Sequence, residues 1–498
     1  MKQRLRLPGP VVWTAVVSLI GVLFMTFVLP IGDGLDEAEH AFRAYQLSLG
    51  HLYPQFISCA RHPKPVGCLG QFGRLVPHRR VGGYINKPFY LVLHRLFRLT
   101  LGPQGTHFNP NSYEQYMSYA LSGSNSVFPH FENTALYSPL NYLPQSVVFY
   151  FARVVSAPVL ATLFIARLTA GLLWAAMATW SVALMRRWRW LWALAVLVPT
   201  ALAQGPSLSA DSIVLGIVAV SLAYAFRLAH AGESLRRSQL ARLVALGVLL
   251  GMLKFPIPLV VAAMIVILWP LIGRGWARTG VVAAMAVPCL AIAAWWNDTI
   301  DRYFLPYRNT VFNAPLRVNI NQHAQVHYLL SHLIDIPALL GKTLIEGRMF
   351  QLGGLVGTYG THVFIGWGAG LWLVAAVALA LVHPEREPPS RATRVWIAIV
   401  LVACLVITVF ALYLTWNAVG DSVIMGIQGR YFAPLLVLFI PLLVGAVKLP
   451  WRLPDWFVPA AVITISSVGA LVLFESTAWT YYHQPAWQVL PRVVNVLF

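Results

Sequence analysis

The chain has 498 residues, of which 58% are hydrophobic and only 11% charged, against roughly 25% charged residues in a soluble domain. With a mean hydropathy of +0.67, most of its surface must face something other than water, which excludes a soluble globular chain, a disordered chain and a coiled coil. A net charge of +19 raises nucleic acid as a partner, but no nucleic-acid motif or basic face accompanies it, so none is expected.

A span needs about twenty apolar residues to cross the hydrocarbon layer. The first runs from Val11 to Pro30 behind a basic tail. No small-residue cleavage site follows it and its apolar run exceeds a signal peptide's, so it reads as an uncleaved anchor. A long external loop over residues 31–143 comes next, and Tyr142–Val155 already has the character of a segment entering the membrane. Further spans read at 159–184, 190–204, 211–230, 243–253, 257–272, 279–296, 362–382, 395–415, 431–447 and 456–474.

The expectation is therefore an all-α polytopic membrane protein of about eleven helices, one membrane domain over residues 1–498 with no internal repeat. The segments on either side of Lys254-Phe255-Pro256 are short for full crossings, and broken helices survive in lipid only where protein or a cavity covers them. A second long external loop covers 297–361, within which Leu329–Ile345 has the composition of an interfacial helix.

Orientation follows from the cations. Lys2, Arg4 and Arg6, Arg186, Arg187 and Arg189, Arg236, Arg237 and Arg242, Arg274 and Arg278, Arg386, Arg391 and Arg394, and Lys448 and Arg452 fall in short connections on one side. The short connections on the other side hold Lys254 and Arg430. Positive residues stay inside, which puts the N-terminus in the cytoplasm and the C-terminus outside. Cys59 and Cys68 both lie in the first external loop, where the surroundings favour a disulfide. Cys289 and Cys404 lie in spans and read as small packing residues.

The segment Ile31–Gly50 is the most informative. Leu35, Ala38, Phe42, Tyr45 and Leu49 recur at helical spacing, giving an amphipathic helix on the outer membrane face, and Asp36, His40 and Arg43 share another stripe. Asp36 as an N-cap with Glu39 as its capping-box partner is a structural alternative. Yet the chain has only 17 acidic residues, and Asp33, Asp36, Glu37 and Glu39 gather at this one exit, where a cap needs a single group.

The segment Asp36-Glu37-x-x-His40-x-x-Arg43-x-Tyr45-Gln46-x-Ser48-x-Gly50 resembles the first external loop of GT-C glycosyltransferases. It is closest to a largely uncharacterised bacterial membrane-protein family with a P-D-E-x-x-H-F-x-R-A-Y-Q signature. Tyr137-Ser-Pro-Leu-Asn-Tyr-Leu-Pro-Gln145, Ser207-x-Ser-Ala-Asp211, Lys254-x-Pro256 and Gln428-Gly-Arg-Tyr-Phe-x-Pro434 extend the likeness along the chain. Gly34-Leu35 and Glu39 stand where that family usually has prolines.

The resemblance implies a GT-C-like fold and an enzyme of the bacterial inner membrane, with its site on the extracytoplasmic face. It would move a sugar from a polyprenyl-phosphate donor to an envelope glycan or lipid, inverting the anomeric centre. An acidic residue after the first span would be the general base. Asp36 takes that role here, with Glu37 as partner or substitute and His40 as orienter, since a sugar hydroxyl needs a carboxylate to accept its proton.

A lipid phosphate leaving group calls for cations at the outer boundary, and Lys254, Arg430 and Arg43 are the candidates. Tyr45, Asn133, Tyr137, Asn141, Asp211 and Gln428, with His40, are candidates for substrate binding, and Asp211 reads equally as the N-cap of its span. Asp36 and His40, four residues apart, could share a divalent cation such as Mg, Mn or Ca with help from another acid. Gly353–Gly360 lacks the Lys-Ser/Thr of a P-loop, so a nucleotide donor is not indicated. A transporter or flippase of lipid-linked sugars, and an envelope polysaccharide polymerase or ligase, are the competing expectations.

Overall fold

The computed structural model describes residues 9–59, 79–100, 107–123, 125–305, 320–346, 355, 358–359, 363–364, 367–384, 388–447, 451 and 453–497. Helix α1 (Gly9–Val28) opens the bundle. After it come α2 (Glu37–Ser48), a two-stranded ribbon of β1 (Gln55–Ser58) and β2 (Arg79–Gly82), a shorter pair of β3 (Ile85–Asn86) with β4 (Ser126–Val127), and the helices α3 (Lys87–Thr100) and α4 (Leu143–Val154). Both strand pairs are antiparallel, with Gln55 opposite Gly82 and Ile85 opposite Val127.

The centre of the bundle is α5 (Val159–Leu184), packed between α1 and α8 (Asp211–Ala229). Helix α8 is apolar on every side, as a helix surrounded by others must be; Asp211 through Phe226 are all buried. Helix α9 (Arg237–Gly251) lies against α11 (Trp276–Asp301), while α10 (Val260–Leu268) lies against α8. Gly251 permits the first contact: a Cβ there would strike the Cys289 carbonyl and Ile292.

Six described helices are long and apolar enough to cross a bilayer: α1, α5, α8, α11, α15 (Arg391–Trp416) and α17 (Phe457–Tyr482). A seventh is reached only by joining α12 (Gln322–Ser331) to the Leu333–Ile345 segment that contains α13 (Ile336–Ile345), across an 86° bend. The expected count of about eleven is not reached among the described residues, and the difference there is concentrated at prolines, which remove a backbone donor and clash with the preceding turn.

Residues 190–204 divide at Pro199 into α6 (Arg189–Val196) and α7 (Pro199–Gln204). Residues 431–447 become 3₁₀ turns and the five-residue α16 (Phe439–Leu443). The segments at 243–253, 257–272 and 362–382 appear as α9, α10 and the 16-residue α14 (Trp367–Val382). Most of α6, α7 and the 433–438 turn is buried, so broken backbone is covered by protein. Helix α17 closes the bundle on α1, with the Phe24 and Phe474 rings 4.2 Å apart and Trp13 Nε1 donating to Ser466 Oγ at 2.9 Å. Helix α18 (Ala486–Leu497) ends the described chain.

The first long segment differs from expectation in one important way. Helix α2 does not lie on the surface: Glu37, His40, Arg43, Tyr45 and Gln46 are all buried, and it packs on α4. Its polar stripe faces other protein groups rather than water. The surface-lying apolar face belongs instead to α4, where Leu143, Tyr150, Phe151 and Val154 are exposed. In the 297–361 region, Leu330, Leu333, Ile334 and Ile345 are exposed along the two arms of the bent pair.

Cys59 is disulfide-bonded and Cys289 and Cys404 are free and buried; Cys68 lies outside the described residues.

Candidate functional site

The residues after α1 are positioned by a buried ion pair. The Arg167 guanidinium, on α5, grips the Glu37 carboxylate through two nitrogens, with Nε 2.7 Å from Oε1. It also donates to the carbonyls of Leu29 (2.5 Å) and Pro30 (2.9 Å), just beyond the end of α1. Glu37 in turn accepts from the backbone N–H groups of Gly32, Gly34 and Leu208. Burial alone would raise this carboxyl, but the Arg167 charge and these donors outweigh it and hold it below the usual carboxylate range. One residue earlier, Asp36 is forced into the left-handed region (φ 56°) and caps nothing.

The Asp36 side chain instead meets Arg430. Nη2 of Arg430 lies 2.6 Å from Asp36 Oδ2, and Nη1 lies 3.0 Å from the Leu35 carbonyl and 3.6 Å from Asp211 Oδ2. Asp211 Oδ1 accepts from Lys254 Nζ. Two carboxylates and two cations thus form a neutral chain, Asp36–Arg430–Asp211–Lys254. Arg430 and Asp211 are buried and the Lys254 side chain is only 8% exposed, while that of Asp36 is 37% exposed. Lys254 Nζ also sits 5.2 Å from the centre of the Tyr431 ring.

Asp36 and Lys254 line one cavity of about 490 Å³. Around it meet the segment after α1, the C-terminal ends of α9, α11 and α15, and residues 426–431. By chain direction this is the end of the bundle opposite the basic connections after α5, after α8 and before α11 and α15. The wall is mixed: Asn133, Thr134, Asn297, Thr415 and Gln428 supply polar groups, while Leu253, Phe255, Trp296, Leu412 and Trp416 supply apolar ones. Such a combination suits a ligand with a polar head and an apolar body.

His40 lines the same cavity. Its Nδ1 is 2.7 Å from the Tyr142 hydroxyl and its ring stacks on Tyr137. Burial, more than any neighbouring charge, pushes the imidazole down to about 4, so it is neutral at ordinary pH.

The structure sorts the sequence candidates. Asp36, His40, Asn133, Tyr137, Lys254 and Gln428 share the cavity wall. Arg430 and Asp211 stand behind Asp36 and Lys254, and the N-cap of α8 is Ala210, so Asp211 is not the cap.

Four others do not line the cavity. Glu37 is engaged by Arg167 and three backbone N–H groups and does not line the cavity. Arg43 is buried, with its guanidinium on Gln46 Oε1 (2.6 Å) and the Leu52 carbonyl (2.6 Å), and is not part of the cavity wall. Tyr45 packs between Phe89 and Phe149 as core. Asn141 is likewise buried away from the cavity, donating to Ser138 and to the Met252 carbonyl.

The Asp36 side chain makes no cap hydrogen bond, so the Asp36–Glu39 capping box is not complete. Among the described residues no group of three or more His, Cys, Asp or Glu side chains is placed to hold a metal ion, and Asp36 is already paired with Arg430, which leaves the Asp36–His40 pair without further ligands.

Sequence reasoning missed Arg167, although a lone arginine inside an apolar run was a visible signal of a buried partner. It also missed the ion pair of Arg80 with Glu132 (2.5 Å), which sets the strand β2 against the segment that lines the cavity. Trp296 and Trp416, which wall the cavity, were not singled out in the sequence either.

No curated protein and no solved structure matches the chain. The model of one family, described as "Predicted membrane protein (DUF2142)", matches residues 19–439, a stretch that includes the whole segment after α1, Lys254 and Arg430. The chain is a membrane protein and belongs to the DUF2142 family.

Proposed function

We propose that this protein is a glycosyltransferase of the bacterial inner membrane. It takes a sugar from a polyprenyl-phosphate carrier and passes it to an envelope glycan or lipid on the extracytoplasmic side. The observation that carries this reading is the placement of Asp36 and Lys254 on one cavity wall, each held from behind by a group of opposite charge.

The roles follow from the atoms. Asp36 Oδ2 is held by Arg430, while Oδ1 makes no hydrogen bond among the described residues and is available to accept a proton. An acceptor hydroxyl lying against Oδ1 gives up its proton as its oxygen bonds to the anomeric carbon. The bond from that carbon to the phosphate oxygen breaks on the opposite face, so the anomeric configuration inverts and polyprenyl phosphate leaves. Lys254 Nζ faces the charge that grows on the departing phosphate. Arg430 keeps Asp36 aimed, and so is a positioning residue. The apolar wall at Phe255, Leu412 and Trp416 gives the carrier a dry surface, and the amides of Asn133 and Gln428 suit sugar hydroxyls.

The test is made on purified protein in vesicles loaded with polyprenyl-phosphate sugars. Acceptor-dependent release of polyprenyl phosphate, with an inverted product, supports the reading. Movement of the intact lipid across the bilayer with no release overturns it in favour of a flippase.

A further inference from the structure

Asp211 has no place in the reaction just described, yet it is buried at the site and commits its carboxylate to Lys254 and Arg430. A helix N-terminus favours an acid through its dipole, but this side chain turns to two cations instead. Lys254 Nζ has three hydrogens, of which Asp211 Oδ1 engages one, and the lysine faces the cavity. Any anion reaching Lys254 from the cavity therefore meets a fixed negative charge just behind its partner.

We infer that Asp211 is a specificity-determining residue which makes the site favour a phosphodiester over a phosphomonoester. The inference rests on the glycosyltransferase reading of the same cavity. A sugar-phosphate-lipid donor is a diester with one negative charge. The released carrier phosphate is a monoester, and such a group bears close to two charges at neutral pH.

Repulsion from a fixed carboxylate scales with the charge it meets, so Asp211 penalises the product more than the donor. The four-residue chain is neutral with Asp211 present and positive without it. The consequence is ready release of the carrier after each turnover. Removing the charge would leave Lys254 free to hold the product, and turnover would become limited by its departure.

The experiment measures binding of a polyprenyl monophosphate, its methyl phosphodiester and the neutral polyprenol to the full chain in detergent. Wild type, Asp211→Asn, Lys254→Gln and the double variant are compared. The expected result is that Asp211→Asn binds the monoester about tenfold tighter, the diester by a smaller factor and the polyprenol unchanged. Lys254→Gln should bind both anions more weakly, and adding Asp211→Asn to it should return the monoester toward the wild-type value.

That last comparison serves even if the single Asp211 variant does not fold. An unchanged monoester-to-diester ratio in both comparisons overturns the proposal, as does absence of binding by any variant. An unchanged ratio in a protein that transfers sugar leaves the glycosyltransferase reading intact. A changed ratio in a protein that releases no carrier refutes that reading and keeps the role of Asp211.

Discussion

Arg430 joins Asp36 through a 2.6 Å contact between residues 394 positions apart in the chain. The guanidinium reaches the Leu35 carbonyl at the same time, so it fixes both the backbone before Asp36 and the carboxylate itself. A lysine keeps the charge but offers a single point of contact in place of a planar fork. Arg430→Lys should therefore lower kcat by about ten- to a hundredfold, as expected for a misplaced catalytic group, with donor KM within about threefold. A rise in KM at unchanged kcat would place Arg430 on the donor instead.

The Glu37–Arg167 pair is the anchor for this arrangement. Glu37→Gln leaves a buried guanidinium without a counter-charge, which costs about 3–5 kcal/mol. Thermal unfolding in detergent should show a large drop in Tm, with expression reduced. A near-wild-type Tm would mean that Glu37 is not the anchor and would reopen it as a reacting group.

Gly251 sets the distance between α9 and α11. Because the obstruction is the Cys289 main chain as well as Ile292, Gly251→Ala must push the helices apart, a strain of about 1–3 kcal/mol. Lys254 follows three residues later, so donor binding should weaken along with Tm. Unchanged values of both would contradict the packing described.

His40 gives a pH dependence of defined sign. Its folded-state value of about 4 lies below the ordinary 6.5. The unfolded chain therefore takes up the proton first as pH falls, and stability is lost between pH 6.5 and 4, by roughly 3 kcal/mol in all. Above 6.5 the group contributes nothing. The groups facing it are Asp36, Arg430, Asp211, Lys254, Tyr137 and Tyr142. His40→Asn should flatten this part of the stability profile relative to wild type; parallel profiles would refute the assignment.

Much of the site was legible because the chain is so poor in charge. Acids clustered at the exit of one span, a lysine stood between two short apolar runs, and an arginine preceded another. These are residues that a lipid-embedded chain does not keep without use. What could not be read was which of two adjacent acids faces the cavity. Neighbours on a helix point in different directions, and the choice between Asp36 and Glu37 was made by Arg167, 130 positions away. Arg43 and Tyr45 carried the right chemistry on the wrong side of α2 for the same reason. Where hydropathy continues through Pro199 and Pro434 the described helices are shorter than the apolar runs, since an apolar run does not reveal that its backbone is broken.

The central claim is that the Asp36 carboxylate takes the acceptor's proton. Its most direct test compares wild type with Asp36→Asn, which keeps the side-chain shape, in acceptor-dependent release of polyprenyl phosphate from a labelled donor. The account predicts a loss of at least about a thousandfold in kcat for a variant that still folds and still binds donor. Release within about tenfold of wild type would contradict it.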